Sequence, residues 1–121
     1  MVQEYKFEKL EVWQLSLELS DFVYEIASFL PSDELYNLSS QIKRAGTSVS
    51  LNIAEGSTNS SSAEFARFLR IAIRSYIEVY ACYIIIKRRK YLSSNEPVCE
   101  KFETLGAKLF AKLQALVKSI N

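Results

Sequence analysis

Six apolar residues, Val12, Leu15, Leu19, Phe22, Ile26 and Phe29, recur at steps of three and four, and this spacing constrains the fold more than any other feature of the chain. Only a helix brings such positions onto one face. Glu11, Gln14, Glu18, Asp21, Glu25 and Ser28 hold the opposite register, while Leu10, Trp13, Leu17 and Tyr24 widen the apolar stripe until it needs two neighbours. The spacing therefore predicts a helix over about 8–30, closed by Pro31 because a residue before proline is driven out of the helical region. The first residues, Met1 to Phe7, have no clear period.

The same periodicity returns three more times. Leu35, Leu38, Ile42, Ala45, Val49, Asn52 and Gly56 predict a helix over about 33–55, with Ser32 as its cap and Gly56 as a left-handed stop. The polar run 57–62 reads as a short loop, and Ser61 with Glu64 has the spacing of a capping box. A third helix over about 62–90 buries Phe65, Phe68, Leu69, Ala72, Tyr76, Val79, Tyr80 and Tyr83. Pro97, followed by Val98, Phe102, Leu105, Leu109, Leu113, Leu116 and Ile120, marks a fourth over about 95–119. Short connections make this an all-α, up-and-down antiparallel four-helix bundle, a single domain over residues 1–121.

Helix three has more apolar surface than one bundle can hide. Ile71, Ile73, Ile77 and Ile84 to Ile86 lie off its core face, so an oligomer is expected, with Trp13, Ile73, Ile77 and Ile84 in the interface. No apolar run is long enough to span a membrane, since Ile71 to Ile86 is interrupted by Arg74 and Glu78. With no signal-peptide pattern either, the chain is expected in the cytoplasm.

Gln41, Arg44, Ser48, Asn52 and Glu55 form a second stripe along helix two. A solvated face is the plainer reading. Gly46, Thr47, Ser48 and Ser50, however, are weak helix formers whose small size lets a neighbouring helix approach. An interhelical polar network of Gln41, Arg44, Ser48, Asn52, Glu55, Glu64 and Glu78 is therefore expected. A hairpin turn centred near Asn59 would set Asn52 near Ala66 and Arg44 against Arg74 to Glu78, pairing Arg44 with Glu78. Removing that acid from a buried site would cost about 3–5 kcal/mol.

The chain has no histidine, which removes the commonest general acid/base and metal ligand, and Cys82 and Cys99 lack metal or redox spacing. No enzyme activity, cofactor or metal is expected. A two-metal site on Glu55, Glu64 or Glu78 is the enzymatic alternative, disfavoured by the lack of any Glu-x-x-His pair. The net charge of +1 conceals an uneven distribution: residues 1–40 carry 2 bases and 8 acids, residues 41–90 carry 9 bases and 3 acids. Arg67, Arg70 and Arg74 share one flank of helix three, and Lys87, Arg88, Arg89 and Lys90 close it. These seven are the candidate nucleic-acid contacts, although cations at a helix C-terminus also complement its dipole.

Phe7, Leu10, Val12, Trp13, Gln14, Tyr24, Pro31, Glu34, Tyr36, Gln41, Arg44, Ala45, Ser48, the run Asn52-Ile53-Ala54-Glu55-Gly56, and Glu64, Phe65, Arg67, Phe68, Leu69, Ala72 and Glu78 form a pattern covering the chain to about Tyr91. It resembles the bacterial four-helix-bundle proteins encoded by intervening sequences within large-subunit ribosomal RNA genes. The resemblance implies a ring-shaped homopentamer. It also implies kinship with the accessory variability determinants of diversity-generating retroelements, which bind a reverse transcriptase and nucleic acid through basic ring surfaces. The sequence departs from the family pattern at Ser50, where proline is frequent, and at Ile73-Arg74, where many relatives carry small residues. The function expected is a non-enzymatic oligomeric adaptor binding structured RNA or a nucleic-acid-processing enzyme. The alternative is a structural or protein-interaction ring without nucleic-acid affinity.

Overall fold

A computed structural model describes residues 4–58 and 61–120. Its four α-helices are α1 (Glu11–Ala27), α2 (Ser40–Ser57), α3 (Ser62–Arg88) and α4 (Pro97–Ile120), and no strand occurs among the described residues. Helix α2 packs against α1 and α3, and α4 closes the circle against the same two, as expected of an up-and-down bundle. Leu19, Val23 and Ile26 of α1, Ile42, Val49 and Ile53 of α2, Leu69, Val79, Tyr83 and Ile86 of α3, and Phe102, Leu109 and Leu113 of α4 are fully enclosed. Ile86, read from the sequence as surplus, belongs to this core.

The N-terminal boundary differs from expectation. Lys6–Lys9 form a 3-10 turn, and α1 starts only at Glu11. The Glu8 carboxylate accepts the Tyr5 backbone N–H at 2.7 Å. Phe7 meets Trp13 edge-on at 4.6 Å, so Trp13 is already partly covered by its own chain.

The link between α1 and α2 differs more. Ser32–Glu34 is a 3-10 turn and Leu35–Ser39 a π-helical turn, so regular helix begins seven residues after the expected Asp33. Ser32 does not act as a side-chain cap. Side-chain bonds hold the wider turn: Asn37 donates to the Glu34 carboxylate at 3.0 Å, and Gln41 donates to Asn37 Oδ1 at 2.8 Å. From the far end of the bundle's sequence, the Tyr91 hydroxyl donates to the other Glu34 oxygen at 2.9 Å. Leu35 and Tyr36 consequently face outward, while Leu38 is buried.

Gly56 is not a left-handed stop. Every glycine has negative φ, and α2 runs on to Ser57 with Thr58 as its cap. A Cβ on Gly56 would lie 2.7 Å from Phe68 Cβ and 3.0 Å from the Phe65 ring, so this glycine lets α2 and α3 touch. Gly106 does the same for α4, where an added Cβ would lie 2.6 Å from the Tyr76 hydroxyl. Ser61 caps α3 by accepting the Glu64 N–H at 3.3 Å, which is the first half of the expected capping box. The Glu64 carboxylate turns to Arg67 instead.

Asn59, the expected centre of the hairpin, lies outside the described residues. The register is nevertheless fixed by the contacts of Ser48 with Ser75 and of Gly56 with Phe68, which are symmetric about Ser61 and Ser62. Asn52, midway between Ser48 and Gly56, is therefore level with the stretch between Phe68 and Ser75 and not with Ala66.

Candidate nucleic-acid interface and interhelical seam

The polar stripe of α2 reaches across to α3 through Ser48. The hydroxyls of Ser48 and Ser75 lie 2.9 Å apart, and the Asn52 amide donates to Ser48 Oγ at 3.0 Å and to its carbonyl at 2.8 Å. Gln41 and Arg44 turn back toward preceding residues of the chain. Gln41 reaches back to Asn37, and Arg44 donates to Ser40 Oγ at 3.1 Å. Arg44 and Glu78 are both exposed and do not pair. Each side chain has water as a competitor, and an exposed ion pair gains too little to hold two long side chains together. Glu64 and Arg67 form an ion pair within α3 at 3.1 Å, which lowers the carboxyl pKa and raises that of the guanidinium through their mutual hydrogen bond. Glu55 is exposed on the outer side of α2, and its carbonyl accepts the Thr58 hydroxyl at 2.7 Å. Thr47, Ser48, Leu51 and Asn52 line a groove of about 480 Å³ between Lys43, Arg44 and Glu55.

A buried polar contact escaped the sequence reading. Ser50 Oγ donates to Ser16 Oγ at 2.9 Å, and Ser16 donates to the Trp13 carbonyl at 2.6 Å. Both serines are enclosed where α1 meets α2, and every donor finds an acceptor, as burial demands. The available signal was the placement of both among apolar neighbours, Ser16 beside Leu15 and Leu19, and Ser50 one turn after Gly46.

The outer side of α3 is a continuous stripe. Arg67, Arg70, Arg74, Ile77, Ala81, Ile84 and Arg88 follow one another at steps of three and four, and all are exposed. Its first half is cationic, and Arg70 and Arg74 form no ion pair among the described residues. It then turns aliphatic before ending on Arg88: Ile77 is 51% exposed and Ile84 46%, with Ile85 beside them at 44%. Ile73 and Trp13 are half-buried against the core, so the four residues expected in an interface divide into two exposed and two largely covered ones.

At the C-terminal end of α3 the four candidate cations also separate. Lys87 lies 3.5 Å from Glu103 of α4 and over the Tyr83 ring, whereas Arg88, Arg89 and Lys90 are exposed. The enclosed Tyr83 hydroxyl donates to Glu103, and burial together with that acid holds its pKa far above the usual phenol range. Burial likewise raises the Cys82 thiol, which suppresses the reactive thiolate. Among the described residues no group of three or more His, Cys, Asp or Glu side chains could hold a metal ion. None of the described helices is long and apolar enough to cross a membrane.

Comparison with known proteins agrees with the resemblance read from the motifs. The chain is similar to a crystal structure of a protein with unknown function from the S23 ribosomal protein family of Bacteroides thetaiotaomicron VPI-5482. The two share 27% identity and superpose with a TM-score of 0.76, over 88% of this chain and 98% of that one. No curated protein matches the sequence. Residues 8–114 match the profile of 23S rRNA-intervening sequence proteins, and the chain belongs to that family.

Proposed function

We propose that this protein is a non-enzymatic, cytoplasmic homo-oligomer that binds structured RNA. The observation that carries the reading is the succession, along the outer α3 stripe, of a cationic row (Arg67, Arg70, Arg74) and an aliphatic patch (Ile77, Ala81, Ile84). Ile77, Ile84 and Ile85 leave a contiguous apolar surface in water, and a second copy of the chain removes that cost by covering it. Once those residues are covered, Arg67, Arg70 and Arg74 lie next to the seam. Repetition around the assembly then multiplies a row of three cations into a basic surface. Guanidinium groups suit phosphate because their planar donors match its oxygens, and phosphate neutralisation supplies most of the affinity for nucleic acid.

The test is fluorescence anisotropy of a labelled, structured RNA with the purified assembly, at low and near-physiological salt. Saturable binding that weakens steeply with salt, and is lost in the Arg67→Ala, Arg70→Ala, Arg74→Ala triple variant, is the expected result. No binding at low salt would instead leave a ring that contacts only proteins.

A further inference from the structure

Among the described residues, Lys90 is the one non-glycine with left-handed backbone, at φ 65. It follows the last turn of α3, where its N–H donates to the Lys87 carbonyl at 2.9 Å and the Tyr91 N–H donates to the Ile86 carbonyl at 3.3 Å. These paired bonds are a Schellman cap, in which glycine is the favoured residue at the position Lys90 holds, because a Cβ strains left-handed backbone. The helix dipole does not account for a lysine there. Lys87 and Arg88 already place cations in the last turn, and Arg89 follows them.

The strained residue lies on the wall of a cleft of about 360 Å³ at the α3–α4 turn, lined otherwise by Lys87, Leu92, Ser93 and Ser94. Leu92 is buried and anchors the turn to the core. Two lysines and two serines thus line one depression, residue types whose side chains can donate to an anion with several acceptor oxygens. Ser93 Oγ accepts the Asn95 N–H at 3.2 Å, which leaves its O–H to donate. Glu103 answers the charge of Lys87, whereas Lys90 forms no ion pair among the described residues. A conformational outlier that persists where glycine would serve better points to a role for the side chain it carries.

We propose that this cleft binds a phosphoryl group, with Lys90, Lys87 and the Ser93 and Ser94 hydroxyls as donors. The group is either a backbone phosphate of bound RNA, which rests on the reading above, or free phosphate, which does not.

The test is titration of the ¹⁵N-labelled, full-length protein with inorganic phosphate against chloride at equal ionic strength, following the amide signals of Ser93 and Ser94. Saturable shifts specific to phosphate are expected. They should weaken at least about tenfold in Lys90→Gly, the size of one lost charge-assisted hydrogen bond. That variant relieves the strained cap, so loss of folding does not confound it. If Lys90→Gly also lowers the salt slope of RNA binding by about one, the phosphate is the RNA's. If RNA binding is unchanged while the phosphate response is lost, the cleft takes free phosphate. Absence of a phosphate-specific response, or an equal response in Lys90→Gly, would overturn the proposal. Failure of RNA binding with an intact phosphate response would count against the adaptor reading alone.

Discussion

Gly56 and Phe68 approach so closely that a methyl group on the glycine would lie 2.7 Å from the Phe68 Cβ. That atom is attached to the α3 backbone and has no torsion with which to move aside. Gly56→Ala should therefore separate α2 from α3 and destabilise the protein by about 1–3 kcal/mol, the usual cost of overpacking. At Gly46 the added carbon would lie 3.5 Å from Val23, an ordinary contact, and alanine is the better helix former. Gly46→Ala should be neutral or stabilising by up to about 1 kcal/mol. Urea unfolding of both variants measures the contrast, and equal losses would show that the glycines do not differ in this way.

The Ser50, Ser16 and Trp13 relay gives an asymmetric expectation. Ser16→Ala removes the acceptor of the buried Ser50 hydroxyl and should cost about 1–3 kcal/mol. Ser50→Ala leaves Ser16 bonded to the Trp13 carbonyl and should cost less. The double variant should recover part of the Ser16→Ala loss, since no unpaired hydroxyl remains. Denaturant melts of the full cycle test this, with additive losses as the contrary outcome.

Acid should act on the link between α1 and α2 through Glu34. The Tyr91 hydroxyl, and then Asn37, lower the Glu34 pKa below 4.5, so the folded state binds its proton more weakly than the unfolded chain does. This contribution is present above about pH 4.5 and fades as pH falls through the depressed folded value. Tyr91→Phe should return the Glu34 titration toward its ordinary position and lessen the loss of stability on acidification. Carboxyl titration by NMR would reveal it; an unchanged Glu34 midpoint would show that Tyr91 does not hold the acid.

If the proposed homo-oligomer forms through the aliphatic part of α3, Ile77→Glu with Ile84→Glu should dissociate it while leaving helix content intact, because both residues are exposed on the single chain. Light scattering and circular dichroism read the two effects. A parent that is already monomeric, or a variant of unchanged mass, would remove the aliphatic part of α3 from the interface.

How far the sequence reaches is visible in these same residues. Three-and-four spacing places Leu19, Ile42, Leu69 and Leu109 in the core because periodicity depends on the helix alone. Gly56 was misread because a glycine that ends a helix and one that admits a neighbour look alike until the neighbour is known. Arg44 and Glu78 were paired on longitudinal position, whereas pairing also needs both side chains on the buried side of the seam, and both turn to solvent. Glu34, at the start of the π turn Leu35–Ser39, is bonded by Tyr91, more than fifty residues away in the chain, a contact that no local pattern announces. Small hydroxyls are the hardest to place. Ser48, Ser50 and Ser75 look alike in sequence, yet Ser50 is enclosed against α1 while Ser48 and Ser75 meet in a half-buried seam.

The most direct measurement is the salt dependence of structured-RNA binding for the wild type and for Arg70→Ala with Arg74→Ala, each with its assembly mass checked. If these two unpaired cations contact phosphate, the plot of log affinity against log salt should lose about two units of slope while the mass stays constant. Binding with an undiminished slope, or no binding at low salt, would contradict the assignment of this face of α3 to RNA.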